Sequence, residues 1–137
     1  MSSKTANPSD DPKPRILIVE DNPINVIVLK KFIEHVCIPD SVTAGSKALQ
    51  MLEEKDYDLV LMDINLGDDN MNGVDVLHKI RESEKNKYLP VIAVTAYTMA
   101  GDIERFMEDG FIDFVPKPIN KEEILKIIDK YLPSKRV

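Results

Sequence analysis

Three stretches of the chain, residues 16–19, 59–62 and 91–94, are four-residue apolar runs that each stop on a polar side chain: Glu20, Asp63 and Thr95. A half-exposed strand would alternate, so runs of this kind predict strands buried on both faces. Around them lie a less apolar segment at 41–44 (SVTA), read as an edge strand, and a run at 111–115 leading into Pro116-Lys117-Pro118. With the strands extended to 15–20, 57–63 and 91–95, five strands are predicted.

Between them the apolar period lengthens to that of a helix. Asn22-Pro23 opens the first helix, with Asn as N-cap and Pro where its missing N–H is harmless. Ile24, Ile27, Val28 and Phe32 form its predicted inward stripe, and Pro39 its end; Cys37 falls in this stretch as a small core filler. Ser46 is expected to cap a second helix bearing Ala48, Leu49 and Leu52. A third starts near Gly73 with Val76, Leu77 and Ile80 inward, and a fourth carries Ile103, Phe106 and Met107 up to Gly110. Asn120 and Glu123 have capping-box spacing for a fifth, whose Ile124, Ile127, Ile128 and Tyr131 face the core before Pro133 closes it. Alternating strands and helices with right-handed crossovers give an α/β fold, a doubly wound parallel sheet covered on both faces.

Composition narrows the function. At 137 residues, 43% hydrophobic and 31% charged, the chain fits one domain at 15–132. Residues 1–14, almost without apolar side chains, read as a disordered leader or linker, and 133–137 as a tail. The net charge of -6 argues against nucleic-acid binding. No run approaches membrane-spanning length, and the single cysteine rules out an internal disulfide, so a cytoplasmic protein is expected.

In an open parallel sheet, ligands bind at the carboxyl ends of the strands. One Asp after one strand is as readily a turn or cap residue. Glu20 and Asp21 after the first strand, Asp63 after the third, Thr95 after the fourth and Lys117 after the fifth are harder to explain as caps, since clustered like charges need compensation. Three carboxylates and one ammonium leave about -2 on simple counting, which a divalent cation neutralises. Hard oxygen ligands, with neither His35 nor His78 at that rim, favour Mg²⁺ over zinc. A cation, an ammonium and a hydroxyl beside a nucleophilic carboxylate suit phosphoryl transfer.

VEDN after the first strand, LMD at the third, VTA at the fourth and VPKP after the fifth resemble the receiver domains of two-component response regulators, over 15 to about 132. The resemblance implies strand order 2-1-3-4-5, Asp63 as phosphoacceptor, Asp21 as a direct Mg²⁺ ligand, Glu20 as its acidic neighbour, and Asn65 as a carbonyl ligand. It implies Thr95 as switch hydroxyl, Lys117 as partner of the phosphoryl group, Phe114 as aromatic switch and a cis peptide at Pro118. Asn65 and Tyr97 would flank attacking water and tune dephosphorylation. The implied partners are a sensor histidine kinase or a histidine phosphotransfer domain, and the implied output face comprises the fourth helix, fifth strand and fifth helix, through which a weak homodimer would also form. The protein would catalyse its own phosphorylation and a slow autodephosphorylation.

EDNPIN resembles the receivers of hybrid sensor kinases in particular. The loop INLGDDNMNG departs from the family by two extra residues and by Gly67 in place of proline; its Asp68 and Asp69 read as solvated charge. Other classes fit less well. An aspartyl-nucleophile phosphatase commonly has a second Asp where Asn65 stands, a flavin module needs a phosphate loop that acidic EDNP opposes, and a degenerate receiver that only binds a partner would not need Asp21, Asp63, Thr95 and Lys117 together.

Overall fold

The computed structural model describes residues 13–66 and 71–132; the expected leader up to residue 12, the loop at 67–70 and the tail from 133 lie outside the described residues. The elements run β1 (Arg15–Val19), α1 (Pro23–Ile33), β2 (Ile38–Val42), α2 (Gly45–Glu54), β3 (Leu59–Asp63), α3 (Gly73–Glu82), β4 (Val91–Thr95), α4 (Ala100–Asp109), β5 (Asp113–Pro116) and α5 (Lys121–Tyr131). All pairings are parallel and the order is β2-β1-β3-β4-β5, as expected.

The central strands divide their side chains between two cores, as the two-residue period of a strand requires. Leu17, Val19, Val60, Met62, Val91 and Ala93 face α2, α3 and α4, where Ala48, Leu52, Val76, Leu77, Ile80 and Phe106 meet them. Ile16, Ile18, Leu59, Leu61, Ile92 and Val94 face the opposite way, onto Leu29 and Ile33 of α1 and Ile124 and Ile128 of α5. Each fully buried Leu, Ile or Val stabilises the fold by roughly 1.5–3 kcal/mol.

Several expectations are corrected. In α1 the buried residues are Leu29 and Ile33, whereas Ile24 and Ile27 are 69% and 61% exposed. The helix is apolar on nearly every side, so several stripes fit it and the period does not choose among them. It also ends at Ile33, well before Pro39, which lies inside β2. Pro39 is tolerated because β2 is an edge strand and the amide on its β1 side is that of Ile38, which donates to Pro14 O at 2.8 Å. Cys37 is buried as expected, but in the turn rather than the helix.

Ser46 is not a cap: α2 starts at Gly45 with Ala44 as N-cap and no side-chain cap bond. A Cβ at Gly45 would stand 2.5 Å from Val76 Cγ2, so the absent side chain lets this end of α2 close on α3. The last strand begins at Asp113, after Gly110 has turned the chain with φ 119° and Phe111 has packed edge-on against Phe106, ring centroids 6.0 Å apart. Asn120 caps α5 through Glu123 N at 3.1 Å, while a reciprocal capping box forms at α3 between Asn72 and Asp75. Among the described residues no helix is long and apolar enough to cross a membrane.

Candidate functional site

β1, β3 and β4 run out at the same edge of the sheet and leave Glu20, Asp63 and Thr95 there, all buried. Glu20 is 2% exposed and Asp63 3%, values seldom found for carboxylates without a partner. Oxygen atoms of Glu20, Asp21 and Asp63 lie within 4.8 Å of one another. Lys117 reaches over from the end of β5, its Nζ 2.9 Å from Asp63 Oδ1 and 3.7 Å from Glu20 Oε1. One ammonium therefore serves two buried carboxylates.

The backbone aims these groups. The amide of Asn22, the N-cap of α1, donates to Glu20 Oε2 at 3.1 Å, while Asn22 Oδ1 accepts from Ile24 N and Asn25 N. Among the described residues the other oxygen, Glu20 Oε1, is buried without a hydrogen bond, Lys117 Nζ standing off at 3.7 Å. Such an atom is costly unless something electropositive meets it. Burial first, and the neighbouring Asp63 second, push the Glu20 carboxyl above its ordinary range. An orphaned oxygen within a tight set of hard carboxylate ligands is what a divalent cation such as Mg²⁺ requires, so the residues present fit that ion.

Asp63 Oδ1 also accepts from the backbone N–H of Asn65 at 3.1 Å, so Asn65 meets the site through its amide. Thr95 Oγ1 accepts from Tyr97 N at 2.8 Å, which ties the end of β4 to the exposed start of the next loop. Pro116 lies opposite Thr95 and has no N–H; the amide of Lys117 donates to Thr95 O instead, at 2.9 Å. The Lys117–Pro118 peptide is cis, as the resemblance implied. Phe114 of β5, paired with Ala93 of β4, is half-buried against the core that includes Phe106, and Tyr97 is exposed.

The rim thus joins all five strand-end residues read from the sequence, with Phe114 and Tyr97 at its flank. Reading Asn22 only as a cap overlooked the role of its amide. A polar residue that follows an acidic pair and opens a helix was the signal for it.

Residues 16–129 match the family described as the response regulator receiver domain, and the chain belongs to that family. It is 40% identical over 124 residues to hybrid signal transduction histidine kinase L of Dictyostelium discoideum, covering 85% of this chain but 7% of that kinase. The receiver domain of sensor histidine kinase PA1611 from Pseudomonas aeruginosa PAO1, solved with magnesium coordinated in its active site cleft, superposes with a TM-score of 0.79 at 31% identity, covering 89% of this chain and 99% of that one. The receiver domain of Ssk1 of Saccharomyces cerevisiae, in complex with the histidine phosphotransfer protein Ypd1, matches at TM-score 0.79 and 27% identity, with 88% and 89% covered.

Proposed function

We propose that this domain accepts a phosphoryl group from a phosphohistidine onto Asp63, with Mg²⁺ as cofactor, and relays the change to its α4–β5–α5 face. The observation that carries this reading is the ion pair of Lys117 with buried Asp63 beside the orphaned oxygen of Glu20. In the reaction an Asp63 carboxylate oxygen attacks phosphorus in line, the P–N bond of the donor breaks, and the imidazole nitrogen leaves with the bond's electron pair and takes a proton from solvent. Asp21, Asp63 and Glu20, with the Asn65 carbonyl, would hold the divalent cation, which would supply positive charge to offset the clustered carboxylates and the phosphoryl oxygens. Lys117 keeps its ammonium on the reacting carboxylate and neutralises charge that grows during transfer.

Acyl phosphate adds negative charge at Asp63, which draws the Thr95 hydroxyl and Lys117 inward. Because the Lys117 amide is bonded to Thr95 O, β4 and β5 respond together, and Phe114 takes the space that Thr95 vacates. The face that changes holds a groove lined by Thr98, Phe114, Pro116, Glu123, Lys126 and Ile127. Asn65 and exposed Tyr97 flank the path of hydrolytic water and set the lifetime of the acyl phosphate. The complex of the Ssk1 receiver with Ypd1 supports a histidine phosphotransfer protein, or a kinase of similar chemistry, as the donor.

Intact-protein mass after incubation with acetyl phosphate, and with a phosphohistidine donor, tests this. One Mg²⁺-dependent phosphoryl adduct is expected on wild type and none on Asp63→Asn. Wild type that stays unmodified by both donors would leave a receiver that acts through binding alone.

A further inference from the structure

We infer that Gly73, the first residue of α3, is a positioning residue for Asp63; this rests on Asp63 being the phosphoacceptor. A Cβ at position 73 would stand 2.4 Å from the carbonyl oxygen of Asp63, 3.1 Å from its carbonyl carbon and 3.0 Å from Ile64 Cα. All three atoms are backbone, so no side-chain rotation relieves the clash. Gly73 also donates its N–H to Ile64 O at 3.1 Å. The end of α3 is thus seated directly on the Asp63–Ile64 peptide, at a distance only a residue without a side chain allows.

That peptide fixes the direction in which the Asp63 side chain leaves β3. From the other side the carboxylate is held by Lys117 Nζ and by the amide of Asn65, at 2.9 and 3.1 Å. Asp63 is therefore gripped at its carboxylate by donors and at its carbonyl by the helix. The helix end is itself fixed by the Asn72–Asp75 box, with bonds of 3.0 and 3.1 Å. A methyl group at 73 would part the helix and the carbonyl by about 1 Å to reach ordinary contact. Misplacing a reacting group by about 1 Å can cost about 100-fold in rate.

Two other glycines provide the controls. A Cβ at Gly45 would meet Val76 Cγ2 at 2.5 Å, a clash in helix packing, and one at Gly101 would meet nothing within 4 Å. The experiment compares Gly73→Ala, Gly45→Ala and Gly101→Ala in urea unfolding, Mg²⁺ titration calorimetry and the rate of adduct formation from acetyl phosphate. Gly101→Ala should match wild type. Gly45→Ala should lose stability while keeping Mg²⁺ affinity and rate within about twofold. Gly73→Ala, at a temperature where it is folded, should lose about 10- to 100-fold in rate, with weaker Mg²⁺ binding.

If Gly73→Ala retains both, or if Gly45→Ala at equal stability loses as much, the assignment is overturned. Should Gly73→Ala not fold, Asn72→Ala loosens the same helix end more gently. It should then depress rate and Mg²⁺ affinity beyond a Gly45→Ala protein of matched stability, and equal values for the two would count against the role. Wild type that binds Mg²⁺ but forms no adduct from acetyl phosphate or from a phosphohistidine donor overturns the phosphoacceptor reading, and this inference falls with it.

Discussion

Glu20 is a buried carboxyl whose surroundings favour its protonated form. Its carboxyl is raised above the ordinary value of 4.5 by burial and then by Asp63, so the folded protein holds that proton more readily than the unfolded chain does. Stability from this group is fully present below the unfolded value and is lost as pH rises through the folded one. Without metal at pH 7, Glu20→Gln should therefore unfold at higher denaturant than wild type, and the gap should close as pH falls below the ordinary carboxylate range. Saturating Mg²⁺ should reverse the order, because only the ionised carboxylate repays its burial by meeting a cation. Denaturation curves at several pH values, with and without the ion, would check this; wild type more stable at neutral pH without metal would contradict it. At this scale the sequence was informative for a plain reason. Glu20, Asp63 and Thr95 each end a run of buried apolar residues, and such runs identify both the strand and its end. The contact of the Asn22 amide with Glu20 was only half legible: a polar residue opening a helix after an acidic pair marked the place, but residue order does not say which way a loop amide points.

Among the elements, the central strands and α5 were read well, while α1 and β2 were not. α5 has charges between its isoleucines, so one inward face stands out; α1 has Ile24, Val26, Ile27, Val28 and Leu29 almost in succession, and only packing on the sheet selects Leu29 and Ile33. β2 pairs on one side alone, carries little apolar signal, and contains a proline that suggested a stop. A second feature with no sequence signature is the seat of Arg81 at the end of α3. Its guanidinium donates to Gly110 O at 2.8 Å, to Leu89 O at 2.7 Å and to Lys87 O at 3.3 Å, linking α3, the approach to β4 and the turn after α4. Hydrogen bonds from a charged donor are each worth about 1.5–3 kcal/mol, and a truncated arginine also leaves carbonyls without their donor. Arg81→Ala should cost about 2–3 kcal/mol in urea unfolding with the denaturant slope unchanged, and Arg81→Lys should recover little, since an ammonium lacks the planar fork. A loss below about 0.5 kcal/mol would mean that solvent replaces these bonds freely.

For the molecule as a whole, topology accounts for the gathering of the site. Parallel strands start and finish together, so acidic, hydroxylated and basic residues far apart in the chain, from Glu20 to Lys117, arrive at one edge without any local motif linking them. Both borders of the sheet carry a proline, Pro39 in β2 and Pro116 in β5. On the β2 border this has a bearing on the fate of the protein in crowded solution. Ile38 directs its amide toward β1, so along an alternating strand position 39 is directed outward, where proline has no hydrogen to give. A foreign strand seeking to extend the sheet meets a gap in the row of donors, which disfavours recruitment of further chains along this border. Replacing Pro39 with threonine, which suits a strand and restores the donor, should leave the fold intact but shorten the lag before thioflavin-positive aggregates form on mild heating. An unchanged lag would mean that the guard lies elsewhere.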